Sequence, residues 1–327
     1  MQTILGAGGP AGRALFQELT KTPGARVRLV RRHAAPVPAG VELFRADLTD
    51  PERTEEALRD TRVAYLTVGL PYRTRVWARD WPRIMENVIR AAARHGARLV
   101  FLDNVYMYAP EALGDMTEAS PIGPVSRKGR IRAKLAARLE AAIKAGEVEA
   151  LIARSADFYG YEKPATGILN RLVFEPLARG RPAFWPGRLD VPHSFTYLPD
   201  LGRALARLGQ TPAAFGQVWH LPTAPALTGR AWVAAVATAL ERRPRALALG
   251  RTLAWLMGFL DADVRESREM LYQFERPYVF KSEKIERALG EKPTPVATAL
   301  AKIAAVDYGI RAPGGSPGAP NKAPHQK

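Results

Sequence analysis

The sequence predicts an α/β protein with a doubly wound parallel sheet and a smaller, mostly helical C-terminal lobe. Three features indicate this fold. Short apolar segments alternate with amphipathic ones through the first 160 residues, a glycine-rich turn follows the first apolar segment, and residues 229–310 are mostly helical in pattern. Apolar strands that alternate with helices in this way are typical of a parallel sheet covered on both faces.

The predicted strands are short and mostly apolar. They lie at 2–5, 25–30, 41–48, 63–68 and 98–104, and a further segment at 149–160 runs from strand into loop. Apolar residues at helical spacing predict helices at 12–22, 51–60, 80–96 and 129–146. Pro51 in a first helical turn and Gly96 after a last turn mark two of the helix ends.

Composition excludes several kinds of site. The chain of 327 residues has no cysteine, which excludes a disulfide framework, a thiolate nucleophile and Cys-ligated metals. The histidines lack metal-ligand spacing and stand at 33, 95, 193, 220 and 325. No apolar run has the length of a membrane span, and the N-terminus does not resemble a signal peptide. We therefore expect a soluble, cytoplasmic protein without a metal.

The net charge of +16 raises the question of nucleic-acid binding. Most of the basic residues are arginines spread along the whole chain, without a long basic run or interleaved aromatic residues. This pattern does not favour nucleic acid as a partner. The nucleic-acid hypothesis predicts salt-sensitive retention of DNA or RNA, and no retention at low salt would exclude it.

A glycine-rich turn, ILGAGGPAGRAL, joins the first strand to the first helix. Gly6, Gly9 and Gly12 follow the spacing G-x-x-G-x-x-G, and Gly8 also permits G-x-G. Small residues there allow a sharp turn and a close approach to a pyrophosphate, to which the helix start presents N–H donors. This context favours a Rossmann-type dinucleotide site over the alternative of a flexible loop.

Residues at the ends of the next strands predict the type of dinucleotide. Arg31 and Arg32 stand where an NAD site usually has an acidic residue, and they can bind a 2′-phosphate, so NADP(H) is favoured over NAD(H). The alternative is that both arginines are merely solvated. Asp47 ends the third strand, where its carboxylate can meet the adenine amino group, and Gly69 is expected close to a cofactor ribose.

These residues resemble an extended short-chain dehydrogenase/reductase of the NAD-dependent epimerase/dehydratase family, and more closely its atypical members. Besides the glycine motif, the family's Asp-Leu appears as Asp47–Leu48. Its Arg-x-x-Asn-Val-Tyr-Gly appears as RSADFYG (154–160), and its Arg-Asp-Phe-x-x-Val-x-Asp as HSFTYLPD (193–200). Several separate motifs in the right order are more specific than any one of them.

The resemblance implies how the chain is divided. The NAD(P)-binding domain would span 1–160, with 191–221 returning to it, and a substrate lobe would combine 161–190 with 222–310. The tail at 312–327 is rich in Pro and Gly and is expected to be disordered. The resemblance also leaves a homodimer open, formed through the helices at 80–96 and 129–146.

The catalytic residues of the family are only partly retained. The resemblance places Asn104 at the family's Ser/Thr, Arg130 at the Tyr and Lys134 at the Lys of its Tyr-x-x-x-Lys pair. Lys134 would bind ribose hydroxyls and Asn104 would hydrogen-bond the substrate oxygen. Tyr106 would be a displaced proton donor, unless it only packs. His193, at a family Arg, is open between a structural and a catalytic role.

Two hypotheses of different classes follow. The leading one is an NAD(P)-dependent oxidoreductase or epimerase-like enzyme acting on a small carbonyl or hydroxyl compound. The other is a catalytically silent dinucleotide sensor or scaffold protein, motivated by the replaced Tyr and Ser/Thr. Unequal binding of NADPH and NADP⁺, with a partner that co-purifies with one form only, would favour the sensor.

Overall fold

The computed structural model describes residues 1–161, 167–250 and 262–310, so the tail predicted to be disordered lies outside the described residues. Its strands are β1 (Gln2–Leu5), β2 (Val27–Arg31), β3 (Glu42–Arg45), β4 (Val63–Leu66), β5 (Arg98–Asp103), β6 (Ala150–Arg154), β7 (Asp157–Tyr159), β8 (Ala183–Pro186), β9 (Pro192–His193), β10 (Phe195–Tyr197), β11 (Val218–His220), β12 (Leu227–Thr228) and β13 (Ala246–Leu249). Its helices are α1 (Pro10–Leu19), α2 (Pro51–Leu58), α3 (Thr74–His95), α4 (Arg127–Lys144), α5 (Glu175–Ala178), α6 (Leu198–Gln210), α7 (Gly229–Ala239), α8 (Ala262–Ser267), α9 (Glu283–Leu289) and α10 (Val296–Tyr308). Short helical turns lie at Pro110–Asp115, Asn170–Phe174, Pro212–Ala214 and Arg268–Phe274.

Seven of the described strands form one sheet in the order β11–β6–β5–β4–β1–β2–β3. Every neighbouring pair in it is parallel. The chain begins at β1, winds to one edge through β2 and β3, and then returns to build the other half from β4. This reversal leaves a crevice outside the carboxyl ends of β1 and β4, where such sheets bind ligands. The predicted doubly wound, Rossmann-type fold is confirmed.

Helices cover both faces of the sheet because each carries an apolar stripe. One core cluster joins α2, α3 and α4 to one face, and a second joins α1, α6 and α9 to the other. The strands between them are accordingly apolar, and every residue of β4 is buried. Among the described helices, none has both the length and the apolar character that a bilayer span requires.

Side-chain caps set the starts of two helices near the sheet edge. The Asp50 carboxylate accepts the N–H groups of Glu52 and Arg53 at 2.9 and 3.1 Å, just before Pro51 opens α2. The Ser126 hydroxyl accepts the N–H of Gly129 at 2.9 Å, so α4 begins two residues before its predicted start. The cap therefore fixes which residues form the first turn of α4.

Helix α3 begins six residues before its predicted start at 80, at Thr74, and contains Pro82. Trp77 lies one turn before Trp81, and both are buried, so the apolar stripe continues further than the periodicity indicated. The N–H of Thr74 donates to the Glu266 carboxylate at 2.9 Å. This start is thus set by a residue distant in the sequence.

A separate apolar core lies beyond the sheet and combines residues from the segments predicted as the substrate lobe with Phe195, from the segment predicted to return to the binding domain. It includes Phe174, Trp185, Phe195, Trp232 and Ile303, all buried. The segment 191–221 contributes α6, which packs on α1, and β11, which adds the edge strand beside β6. Residues 191–221 thus contribute to the sheet and its helix layer and, through Phe195, to the separate core.

Candidate active site

The turn after β1 has no room for side chains at two of its glycines. Gly6 has a φ of +97°, and a Cβ there would lie 2.7 Å from the backbone of Val68. A Cβ at Gly12 would lie 2.8 Å from the carbonyl oxygen of Gly6. The turn therefore packs backbone against backbone at the crevice between β1 and β4.

Helix α1 begins at this turn. Gly9 is its N-cap residue and Pro10 its first residue, a position where the missing N–H costs nothing. The other N–H groups of a first turn have no acceptor within the helix. A Cβ at Gly8 would meet no atom within 4 Å, so the space before the helix start is open. An open helix start of this kind fits a phosphate group.

The two arginines predicted to bind a 2′-phosphate differ in their surroundings. Arg31 ends β2 and is half-buried, and its Nη2 donates to the carbonyl oxygen of Ala35 at 2.6 Å. Arg32 is exposed. Arg31 is therefore engaged with its own loop, and Arg32 faces solvent.

Three further predicted residues follow β3 and β4, at the carboxyl ends of the strands. Asp47 is exposed, and its carboxylate accepts from the hydroxyl of Thr49 at 2.8 Å. Leu48 is buried, and its carbonyl oxygen accepts from the Asn87 amide at 3.0 Å. Gly69 is exposed, and a Cβ added there would meet no atom within 4 Å. Sequence reasoning missed Asn87, although a polar residue within an apolar helix stripe is a usable signal.

The loop after β5 brings Asn104 and Tyr106 to this edge. The Oδ1 of Asn104 accepts the N–H of Tyr106 at 3.1 Å, which leaves the amide NH₂ as a possible donor. The Tyr106 ring stacks on Trp77, and its hydroxyl lies 3.5 Å from that of Tyr72. Burial, followed by the negative charge of Asp157, raises the pKa of Tyr106 above its ordinary value. Tyr106 thus packs and also keeps its proton.

The residues of α4 that the motif alignment assigned to the site lie on the outward face of the helix. Arg130 and Lys134 are exposed, whereas Lys128 and Arg132 are buried on the inward face with the same four-residue spacing. Side chains two residues apart on a helix point about 200° away from each other, so the motif alignment selected residues on the outward face of α4 and not on its inward face. The position of Lys134 gives no support to its predicted ribose contact.

Lys128 is fully buried among groups that compensate its charge. Its Nζ donates to Glu266 at 2.7 Å, to Glu269 at 3.2 Å and to the Thr74 hydroxyl at 3.0 Å, and it lies 4.4 Å from the centre of the Tyr72 ring. Burial opposes ionisation of Glu266, but hydrogen bonds from Lys128 and Thr74 lower its pKa to about 2. These glutamates tie the segment 262–274 to the starts of α3 and α4.

Arg132 belongs to a second buried charge cluster at the end of β5. Its Nε donates to Oδ1 of Asp103 at 2.6 Å, and its guanidinium lies 4.6 Å from the centre of the Trp81 ring. The Nε of Arg154 lies 4.0 Å from Oδ2 of Asp103. All three charged side chains are at most 4% exposed. None of them was predicted to be paired, because the three residues lie in three different elements, α4, β5 and β6.

A chain of hydrogen bonds continues from this cluster. Arg154 donates to the Tyr108 hydroxyl at 2.9 Å, and that hydroxyl lies 2.7 Å from Nε2 of His220. Nδ1 of His220 lies 2.7 Å from the carbonyl oxygen of Lys281, which can only accept, so Nδ1 carries the hydrogen and Nε2 accepts from Tyr108. Burial lowers the pKa of His220 to about 3, which keeps the ring neutral. Tyr108 therefore connects, by hydrogen bonds, the last residues of β6 and β11.

Asp157 and His193, from the two later motifs, lie in contact. Nε2 of His193 is 3.0 Å from Oδ2 of Asp157. Strand β7 pairs with β10 so that Phe195 lies beside Asp157, which brings the two motifs together. The His193 ring is buried between Phe274 and Tyr278, with centres 4.1 and 4.2 Å away and nearly parallel planes.

Solved structures of low sequence identity share this fold. The UDP-glucose 4-epimerase of Thermus thermophilus, in complex with NAD, is 20% identical, with a TM-score of 0.71 over 93% of this chain and 99% of the other. The UDP-N-acetylglucosamine 4-epimerase of Bacillus cereus is 14% identical, with a TM-score of 0.75 over 95% and 98%. A dTDP-glucose 4,6-dehydratase of Streptomyces venezuelae with NAD bound is 18% identical, with a TM-score of 0.72 over 93% and 95%.

The sequence itself supplies the assignment. No curated protein matches the chain. The model of the NAD dependent epimerase/dehydratase family, however, matches residues 3–221, which hold the glycine turn, the sheet and the later motifs. The predicted resemblance is thereby confirmed. The chain belongs to the NAD-dependent epimerase/dehydratase family.

Proposed function

We propose that this protein is a nicotinamide-dinucleotide-dependent enzyme of oxidoreductase or epimerase type that acts on a small hydroxyl or carbonyl compound. The observation that carries the proposal is the glycine turn. Side chains are excluded at Gly6 and Gly12, while the space before α1 is open. This arrangement fits a pyrophosphate at the switch point of the sheet.

The residues along the carboxyl edge would hold the rest of the dinucleotide. Asp47 is exposed beyond β3 and would accept from the adenine amino group, with Leu48 anchoring the loop beneath it. Gly69 would let a ribose approach the backbone after β4. The coenzyme would supply or accept a hydride. The ribose contact that the resemblance assigned to Lys134 would be made instead by a residue on the inward face of α4.

The substrate oxygen would lie near Asn104 and Tyr106. The amide NH₂ of Asn104 would donate a hydrogen bond to it. Tyr106 keeps its proton because burial and the charge of Asp157 raise its pKa, so it would act as a hydrogen-bond donor to developing negative charge. The structural neighbours are named for nucleotide sugars, so UDP-glucose, UDP-N-acetylglucosamine and dTDP-glucose belong in a substrate panel with simple carbonyls and secondary alcohols.

Gly8→Asp is expected to weaken the binding of NADH and NADPH by about 100-fold, because a carboxylate would enter the space assigned to the pyrophosphate. The fold should persist, since a Cβ at Gly8 meets no atom within 4 Å. Calorimetry measures both affinities. Gly250→Asp, the same change at another open glycine after β13, is the matched control and should bind both coenzymes normally. Wild-type protein that binds neither coenzyme would refute the proposal.

Arg32→Ala is expected to weaken NADPH binding by about tenfold and to leave NADH binding nearly unchanged, because only NADPH carries the 2′-phosphate. Arg32 is the arginine to test, since Arg31 is engaged with Ala35. Arg181→Ala, at an exposed arginine of the lobe, is the control and should change neither affinity. An equal loss for both coenzymes would contradict a preference for NADP(H) set by Arg32.

A further inference from the structure

Asp157 and His193 form a carboxylate–imidazole contact, whereas the other buried carboxylates near the site contact arginine or lysine. Asp157 opens β7 directly beyond the end of β6, and His193 ends β9, so they are 36 residues apart in the chain. Nε2 of His193 lies 3.0 Å from Oδ2 of Asp157. The Asp157 side chain is 15% exposed and that of His193 only 1%. Of the two, the carboxylate is therefore the group that another molecule can reach.

The surroundings of His193 fix both its orientation and its tautomer. Its ring lies between Phe274 and Tyr278, so it cannot turn without displacing them. Nδ1 is buried, and the described residues offer it no hydrogen-bond partner. A buried N–H without an acceptor is costly, which disfavours a hydrogen on Nδ1. The ring is therefore the neutral tautomer whose Nε2–H donates to Oδ2 of Asp157.

The other carboxylate at the strand ends has a different environment. Asp103 faces the guanidinium groups of Arg132 and Arg154, which compensate its charge. The ion-pair contact of Asp157 within the described residues is with His193 alone, and a neutral imidazole donor withdraws much less charge. Of the two carboxylates, Asp157 is thus the one without a guanidinium partner among the described residues.

Asp157 also lies among phenol groups at the site assigned to the substrate. Ala156, the residue before Asp157, shares a core cluster with Tyr278, and Tyr72 and Tyr106 pack against that cluster. Burial first, and the negative charge of Asp157 among the further causes, raises the pKa of each of these hydroxyls. They remain protonated, so they can donate hydrogen bonds but cannot take up a proton from substrate.

We propose that Asp157 is the catalytic base of this site and that His193 is its positioning residue, a proposal that rests on the proposed function. When a substrate hydroxyl is oxidised, its O–H bond breaks and the proton moves to Oδ1 of Asp157, because Oδ2 is held by His193. The electron pair of that bond forms the carbonyl, and the hydride leaves carbon for the nicotinamide coenzyme. In the reverse direction Oδ1 returns the proton to the oxygen.

Asp157→Asn is expected to lower kcat for alcohol oxidation by about 10²–10⁴-fold, with coenzyme affinity unchanged in calorimetry. The probes are UDP-glucose and a panel of simple secondary alcohols with NAD⁺ and NADP⁺. His193→Gln keeps a side-chain N–H donor and should retain more activity than His193→Leu, with the effect in kcat rather than KM.

A spectroscopic readout does not depend on turnover. Nitrogen NMR of histidine-labelled protein, assigned with His193→Gln, should show the neutral Nε2–H form of His193 near neutral pH, with and without NADPH. An imidazolium or an Nδ1–H form would overturn the assignment of Asp157 as base. Normal turnover by Asp157→Asn would overturn it too and leave the proposed function intact. Wild-type protein that binds no coenzyme would instead remove the proposed function.

Discussion

Asp103→Asn is expected to lower the free energy of unfolding by about 3–5 kcal/mol, because it removes the carboxylate between two buried guanidinium groups and leaves Arg154 only the half-exposed Glu140, 3.9 Å away. Arg132 and Arg154 are at most 4% exposed and cannot recover hydration when the carboxylate is lost. The side chain keeps its size, so the change is electrostatic. Urea denaturation followed by tryptophan fluorescence measures the effect.

Two further variants test the physical reason for this loss. Asp190→Asn makes the same change in the exposed pair with Arg188 and should leave the denaturation midpoint unchanged. Arg132→Met added to Asp103→Asn should restore part of the stability, since Arg132 already packs on the Trp81 ring and methionine can fill that space. A stable single variant would mean that Asp103 is not the charge that balances these arginines.

Lys128→Met is expected to lower the free energy of unfolding by roughly 2–4 kcal/mol. Methionine fills a similar volume, but Glu266 and Glu269 then face each other without the ammonium group between them. Partial exposure of both carboxylates keeps the loss below that of a fully buried pair. Lys134→Met, the same change on the exposed face of α4, should leave stability unchanged.

The contact between Lys128 and Glu266 predicts that the free energy of unfolding depends on pH in the acid range. Hydrogen bonds from Lys128 and Thr74 overcome partial burial and lower the pKa of Glu266 to about 2, against an ordinary value of 4.5. The stabilisation that ionised Glu266 contributes is therefore complete above pH 4.5 and is lost as pH falls toward 2. In Lys128→Met this part of the acid dependence should flatten in denaturation curves recorded across that range. An unchanged curve would show that Lys128 does not hold Glu266 ionised.

The elements of the sheet could be predicted because their signals are local. Apolar runs mark the strands, and the glycine spacing marks the turn between β1 and α1, where Gly6 needs a positive φ and Gly12 a bare backbone. The errors lie at element ends, where other contacts decide. Helix α3 starts early because Glu266, far away in the sequence, holds Thr74 and because Trp77 is buried.

The inward face of α4 could not be predicted from the motif spacing. Arg130 with Lys134 and Lys128 with Arg132 have the same spacing and similar charge, so the motif alone does not distinguish them. Leu135 and Leu139 lie on the face of Lys128 and Arg132, and this apolar stripe is the signal that the motif alignment passed over. A buried pair of cations is also unexpected without the carboxylates that compensate them, and those lie in other elements.

The amino-acid sequence by itself determined the doubly wound sheet, the glycine turn and the family, because hydrophobic period and backbone freedom act over a few neighbouring residues. Tertiary structure alone decided the ion pairs around the candidate site. Asp157 meets His193 across 36 residues, and Lys128 meets Glu266 across 138. Charges interact through space over distances that no local pattern records, so these pairs exist only once the sheet and the lobe have brought their residues together.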